Sequence, residues 1–105
     1  MSNHHQDTIV AIATPAGIGA IGMIRVSGSK AIDLVQSCFK GKKLRAQKPN
    51  TIHFGQILDQ DQHIIDEVLV SLFHAPRSYT RENLVEISCH GSPYILQKIC
   101  ETLIH

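Results

Sequence analysis

The sequence predicts an α+β domain, in which a mixed, largely antiparallel sheet is backed by two helices. Short β-branched runs bounded by glycine, proline or polar turns predict five strands, at 8–13, 23–28, 51–58, 63–73 and 84–89. Apolar residues recur at helical spacing in two other segments, Ser29 to Phe39 and Pro93 onward. The predicted order is therefore strand, strand, helix, hairpin, strand, helix.

The first two strands flank a glycine-rich loop. Residues 8–13 (TIVAIA) are short, apolar and closed by Thr14-Pro15, which predicts a buried strand. Residues 23–28 are again β-branched, and Arg25 is the one charged side chain among them. The loop between them contains Gly17, Gly19 and Gly22.

The first helix is predicted to begin at a Ser29 cap and to end before Gly41. The next segment, 40–49, is predicted to be an exposed loop. It contains half of the ten basic residues of the chain: Lys40, Lys42, Lys43, Arg45 and Lys48.

Strands 51–58 and 63–73 flank the polar turn 59–62 and predict a hairpin. In strand 84–89, alternation places Val85, Ile87 and Cys89 on one face and Leu84, Glu86 and Ser88 on the other. The second helix is predicted to have Ser92 as its cap and Pro93 at its first position. Its apolar stripe is Leu96, Ile99, Cys100 and Leu103.

The composition indicates one globular domain. The chain has 105 residues, of which 43% are apolar, and its net charge of +1 argues against a dedicated nucleic-acid module. No apolar run approaches the roughly 20 residues that span a bilayer, and the polar start lacks signal-peptide features. We therefore expect a cytoplasmic protein without membrane partners. The three cysteines are predicted to be reduced and buried, and no spacing predicts a metal site.

The loop TPAGIGAIG has the G-x-G-x-x-G spacing of a dinucleotide-binding turn. Such a turn requires a helix directly after the glycines, because the helix N-terminus holds the pyrophosphate. Here a strand is predicted after Gly22, and Asp33 falls inside a helix rather than at the end of a strand. The glycines are therefore interpreted as a strand-to-strand connection that allows close backbone approach.

Arg25 and Glu86 are the candidate binding residues, because each is a charge within an apolar strand. Three interpretations of Glu86 are open: a solvated sheet face, a structural ion pair with Arg25, or a pocket that receives both side chains. A carboxylate suits a heterocycle with an amine beside a ring N–H, and arginine suits carboxylate or carbonyl oxygens. The sequence contains no recognisable combination of Ser or Cys with His and an acidic residue that would form a catalytic site. His90 is interpreted as a turn residue.

Two long motifs follow one another in the chain, DTIVAIATPAGIGAIGMIRVSG and APRSYTRENLVEISCHGSP. Together they resemble the amino-terminal domain of the MnmE/TrmE family of tRNA modification GTPases, over residues 7–105. The resemblance implies a fold like the tetrahydrofolate-binding domains of one-carbon enzymes and binding of 5-formyl- or 5,10-methylene-tetrahydrofolate. It also implies a homodimer through this domain. By position, it makes Arg25 and Glu86 folate contacts, with Glu86 at the pterin.

The resemblance further implies that residues 1–105 belong to a longer protein. A helical domain and a GTPase domain that binds GTP, Mg²⁺ and K⁺ are expected after this segment. With the flavoprotein MnmG (GidA), the complete enzyme is expected to modify carbon 5 of the wobble uridine of tRNA, and the folate would supply the one-carbon unit. The segment itself is expected to bind ligand without hydrolysing GTP.

Departures from the family pattern fall in loops, at Ala16, Ile18, Arg81 and Ser92. The alternative function is a dimerisation and assembly module with a degenerate folate site. Direct RNA binding by residues 40–48 is a further alternative. A solvated lysine loop is favoured over it, because no aromatic residue for base stacking lies between Lys40 and Pro49.

Overall fold

A computed structural model describes residues 8–14, 19–74 and 83–104. Within them lie six strands, two α-helices and a 3-10 turn at Leu44–Ala46. The strands are β1 (Ile9–Ile12), β2 (Ile21–Ser27), β3 (Phe39–Lys40), β4 (Thr51–Leu58), β5 (Ile64–Phe73) and β6 (Leu84–His90), and the helices are α1 (Ala31–Gln36) and α2 (Pro93–Ile104).

The six strands form one sheet in the order β1-β2-β6-β5-β4-β3. Every pairing between these strands is antiparallel. The α+β prediction is confirmed, and the described part of the sheet is antiparallel throughout rather than mixed. Antiparallel neighbours can be joined by a short turn, as β4 and β5 are, whereas β2 and β6 pair across the middle of the chain.

Both helices cover the same face of the sheet. Alternate residues of the central strands are buried there, and α1 and α2 pack against them with their own apolar stripes. The buried side chains include Ile24, Val26, Val70, Leu72, Val85 and Ile87 from the sheet, and Val35, Leu96, Ile99 and Leu103 from the helices. Burial of this cluster is the main stabilising term of the domain.

We call the other side of the sheet the open face, because neither helix packs on it. Strand alternation places Arg25, Glu86 and Ser71 there. Large apolar side chains also lie exposed on this face: Ile9, Ile21, Ile52, Phe54 and Leu69. The candidate binding residues therefore lie among exposed apolar side chains.

The prediction of a buried first strand is wrong. β1 is the edge strand of the sheet, and Ile9 and Ile12 are both largely exposed. The sequence pattern could not show this, because a continuous apolar run fits either a central strand or an edge strand that contributes only part of its surface to the core.

The first helix is shorter than predicted and lacks the expected cap. It ends at Gln36, its N-cap position is Lys30, and no side chain caps it, so the Ser29 prediction is wrong. Phe39 instead begins β3, where its ring lies so close to Gly55 that a Cβ on Gly55 would come within 2.4 Å of it. Phe39 is thus a buried strand residue paired with Ile57 of β4, although its spacing in the sequence fits the helical stripe.

The predictions for the second half of the chain are confirmed. β4 and β5 form the expected hairpin around residues 59–63, with one register irregularity at Ile57/Leu58. The backbone N–H of Ile95 donates to the Ser92 hydroxyl at 3.4 Å, and the carbonyl of Ser92 accepts from Leu96 at 3.0 Å. Ser92 therefore caps α2, and Pro93 is its first residue, as the sequence predicts.

Candidate functional site

The centre of the open face carries an ion pair between the two predicted site residues. Arg25 on β2 and Glu86 on β6 are directly opposite each other in the antiparallel register. The Arg25 Nε donates to Glu86 Oε2 at 2.7 Å. Two strands separated by about sixty positions in sequence thus bring together the charges that the sequence identified separately.

The two partners differ in their exposure to solvent. The Arg25 side chain is 50% exposed, whereas the Glu86 side chain is only 18% exposed. Within the described residues, the bond from Arg25 Nε to Glu86 Oε2 is the one contact between the two side chains. The terminal amino groups of Arg25 and Oε1 of Glu86 therefore keep hydrogen-bonding capacity for a ligand. A partly buried carboxylate, oriented by a fixed cation, is well suited to accept hydrogen bonds from a ligand.

The structure combines two of the three interpretations of Glu86. The carboxylate lies on the helix-free face, and it pairs with Arg25. Neither residue lines the depression beside Ile21, Phe54 and Leu69 or the two depressions at the β4–β5 turn. The described residues therefore offer a ligand of this pair the surface of the sheet rather than one of these depressions.

A second oriented polar group lies at the end of the same strand. His90 Nδ1 is 2.7 Å from Asp66 Oδ1, and the His90 backbone N–H donates to Asp66 Oδ2 at 2.8 Å. Both carboxylate oxygens therefore hold one histidine, which remains largely exposed. His90 also borders a depression of about 210 Å³ lined by Ile21, Phe54 and Leu69. The turn-residue interpretation missed this contact, because Asp66 is distant in sequence.

The glycine loop is anchored beside the end of β6. The Gly19 N–H donates to the Gly91 carbonyl at 3.1 Å, and the Gly91 N–H donates to the Ala20 carbonyl at 3.2 Å. A Cβ on Gly91 would lie 2.2 Å from the Gly19 carbonyl oxygen, so this close approach requires glycine at position 91. β2 follows the loop and pairs antiparallel with β1, which confirms a strand-to-strand connection and excludes the dinucleotide-binding turn.

Several residues named from the sequence lie outside the described ranges. Ala16, Ile18 and Arg81, at which the sequence departs from the family pattern, are among them. The site is therefore defined here by Arg25, Glu86 and their neighbours on the open face.

The cysteines are free, as predicted. Cys38 and Cys89 are buried, whereas Cys100 is only half-buried, which corrects the expectation for that residue. Burial raises the pKa of the Cys38 and Cys89 thiols to about 11, and it also raises the pKa of Cys100. These thiols are consequently poor nucleophiles at neutral pH.

One group of metal-compatible side chains occurs in the described residues, at the β4–β5 turn. Atoms of Asp59, Asp61 and His63 lie within 4.8 Å of one another. Asp59 Oδ1 accepts the backbone N–H groups of both Asp61 and His63 at 2.9 Å, and these bonds lower the pKa of Asp59. The Asp59 side chain therefore stabilises the β4–β5 turn.

Both described α-helices are short, with 6 residues in α1 and 12 in α2. Neither of them has the length and apolar character that a membrane-crossing helix requires.

Comparison with known proteins identifies the family. The family model described as "GTP-binding protein TrmE N-terminus" matches residues 8–105. The chain belongs to this family. The match covers every strand and helix described above, together with both motifs recognised in the sequence apart from Asp7.

Individual relatives agree with the family assignment. The tRNA modification GTPase MnmE of Bacteroides thetaiotaomicron is 56% identical over 104 residues, which cover 95% of this chain and 22% of that protein. The proteins of the same name from Christiangramia forsetii and Cytophaga hutchinsonii are 54% and 48% identical, over 93% and 96% of this chain and 21% and 22% of their own lengths. The chain thus spans about a fifth of the length of these curated relatives.

Proposed function

We propose that this chain is the folate-binding and homodimerisation domain of a tRNA modification GTPase. The observation that carries the folate proposal is the Arg25–Glu86 pair, which lies at the centre of the helix-free face. A tetrahydrofolate derivative, such as 5-formyl- or 5,10-methylene-tetrahydrofolate, has a flat pterin with an amine beside a ring N–H. The two oxygens of one carboxylate can accept both of these donors.

The residues of the open face fit such a ligand. Glu86 is held in one orientation by Arg25 and is shielded from most of the solvent, so its hydrogen bonds to a ligand compete less with water. The terminal amino groups of Arg25 can meet a carbonyl or carboxylate oxygen of the folate. Exposed apolar side chains on either side, such as Leu69 and Phe54, offer a surface for the rings.

Homodimerisation is proposed through the same face. Five large apolar side chains are exposed there, and such clusters on a soluble domain mark protein contact surfaces. A second copy of this chain is the occupant that the family resemblance implies. The ligand pair would then lie next to the interface, so folate binding and subunit association would be energetically linked.

For the whole protein we propose the activity that the relatives' name states, tRNA modification coupled to a GTPase. GTP, Mg²⁺ and K⁺ would bind in a GTPase domain outside this segment, and MnmG (GidA) would be the partner in modifying carbon 5 of the wobble uridine. The present domain would supply the folate site, and the whole would act in the cytoplasm.

Calorimetric titration of the full-length protein with 5-formyltetrahydrofolate tests the folate proposal. We expect Glu86→Gln to weaken binding about 10- to 100-fold, because the charge-assisted bonds from the pterin are lost. Glu101→Gln is the matched control, since it removes an exposed carboxylate from α2, on the other side of the sheet, and is expected to leave affinity unchanged.

The same titration separates the alternative function. If the wild-type protein binds no folate, the domain is an assembly module with a degenerate site. If folate binds but Glu86→Gln and Glu101→Gln behave alike, then the pterin role of Glu86 is wrong, although a folate site exists.

A further inference from the structure

The basic segment 40–48 is an anchored part of the fold rather than a loose loop. Its one large apolar residue, Leu44, is completely buried in the core. The Leu44 N–H donates to the Gln36 side-chain oxygen of α1 at 2.5 Å. These contacts fix the centre of the segment against the helix, so the lysines on both sides project from a defined position.

Hydrogen bonds also hold the two flanks of the segment. The Gln47 side chain donates to the Lys43 carbonyl at 3.1 Å, and the Thr51 hydroxyl donates to the Lys48 carbonyl at 2.6 Å. The 3-10 turn Leu44–Ala46 lies between Lys43 and Gln47. The backbone is therefore held in place from Lys43 to Lys48, and Lys40 pairs with Gln56 in the sheet.

The positive charge of this surface is largely uncompensated. Arg45 pairs with Asp33 at 2.5 Å, but the four lysines form no ion pair with any other residue in the described ranges. All four are exposed: Lys40, Lys42, Lys43 and Lys48. Asp59 lines the same depression as Lys40, yet its carboxylate is engaged by the backbone of its own turn. We call these four lysines the basic surface.

We propose that the basic surface binds the phosphate backbone of tRNA. Four exposed ammonium groups without ion-pair partners in the described ranges attract a polyanion and release its condensed counterions on contact. The absence of aromatic side chains in the segment argues against stacking of single-stranded bases, but contacts to phosphates of an RNA helix need no stacking. The inference rests on the proposal above that the whole protein acts on tRNA.

An RNA backbone fits this surface better than a membrane or an acidic protein would. The only large apolar side chain of the segment, Leu44, is buried, and the exposed Ala46 offers just a methyl group to enter a bilayer or to fill a protein pocket. The surface also lies at the β3–β4 end of the molecule, away from the Arg25–Glu86 pair on β2 and β6. RNA could therefore be bound while the proposed folate site remains accessible.

The test measures binding of an unmodified tRNA transcript to the full-length protein at a series of salt concentrations. The variant Lys42→Gln/Lys43→Gln removes two charges from the basic surface. Its matched control, Lys30→Gln/Lys98→Gln, removes the same charge from α2 and from the residue before α1. Both variants therefore have the same net charge.

We expect the first variant to bind tRNA at least tenfold more weakly than wild type at low salt. The slope of log K against log salt should fall in magnitude by roughly 2, since each phosphate that the variant no longer neutralises accounts for about 0.9. The control should keep the wild-type affinity and slope.

Three results would overturn the inference. They are an unchanged slope in Lys42→Gln/Lys43→Gln, an equal loss of affinity in the control, and a loss of binding to phosphatidylserine/phosphatidylcholine vesicles while tRNA binding persists. A calorimetric titration of the same variant with 5-formyltetrahydrofolate keeps the two proposals separate. If Lys42→Gln/Lys43→Gln binds folate normally and binds tRNA as tightly as wild type, this inference alone is refuted. If the wild-type protein does not bind folate, only the folate proposal is refuted.

Discussion

At the scale of single residues, burial controls the chemistry of the thiols. Cys38 and Cys89 lie in the core, where the thiolate is poorly solvated, and their pKa values rise to about 11. In the unfolded chain each thiol ionises nearer its ordinary pKa of about 8.5. Between these values, the unfolded state binds fewer protons than the folded state, so raising the pH favours unfolding.

We therefore predict that the free energy of unfolding is insensitive to these thiols below about pH 8 and falls between about pH 9 and about pH 11. Urea denaturation at a series of pH values measures this. The control is Cys38→Ala/Cys89→Ala, in which the decline over the same interval should be shallower. Equal slopes for the two proteins would show that the thiols do not carry the effect.

Residue identity also explains how much of the site was predictable. Arg25 and Glu86 could be named from the sequence, because a charge in an apolar strand is unusual in both cases. Their contact could not be derived from residue patterns, since it depends on β2 and β6 being neighbours with a particular register. The contact of His90 with Asp66 was missed for the same reason.

At the scale of elements, the close approach of the glycine loop to β6 fixes one end of the open face. Two backbone hydrogen bonds join Gly19 and Ala20 to Gly91. The two glycines of this contact differ in surroundings, although both occur in the recognised motifs. A Cβ would meet backbone atoms at Gly91, whereas at Gly19 its nearest neighbour would be 3.9 Å away.

This difference gives a matched pair of substitutions. Gly91→Ala is expected to lower the free energy of unfolding by about 1–3 kcal/mol, because the loop must shift to admit the methyl group. Gly19→Ala is expected to change it by less than about 0.5 kcal/mol. Chemical denaturation measures both, and a larger decrease in Gly19→Ala than in Gly91→Ala would contradict the packing described here.

At the scale of the whole molecule, the distribution of apolar surface is uneven. One face of the sheet is covered by α1 and α2, while the other exposes five large apolar side chains around an ion pair. An uncovered apolar sheet face of this kind is costly in water, and association with a second copy removes that cost. The asymmetry therefore supports the proposed homodimer.

We predict that Phe54→Lys, which places a charge on the open face, shifts the protein toward monomer. Phe54 is 63% exposed in the single chain. Tyr94→Lys is the control, because Tyr94 is 66% exposed but lies on α2, behind the sheet. Sedimentation velocity over a range of concentrations should show at least a tenfold rise in the dissociation constant for Phe54→Lys alone. Equal behaviour of the two variants would place the interface elsewhere.

The sequence by itself determined the fold class, the β4–β5 hairpin, the capped helix α2 and the two candidate site residues, because these depend on local periodicity and on short-range turn chemistry. Tertiary structure decided which strand lies at the edge, where α1 ends and which charges meet. Those outcomes depend on contacts between distant segments, such as Phe39 against Gly55 and Arg25 opposite Glu86. Burial and register are properties of the assembled sheet, so no local pattern encodes them.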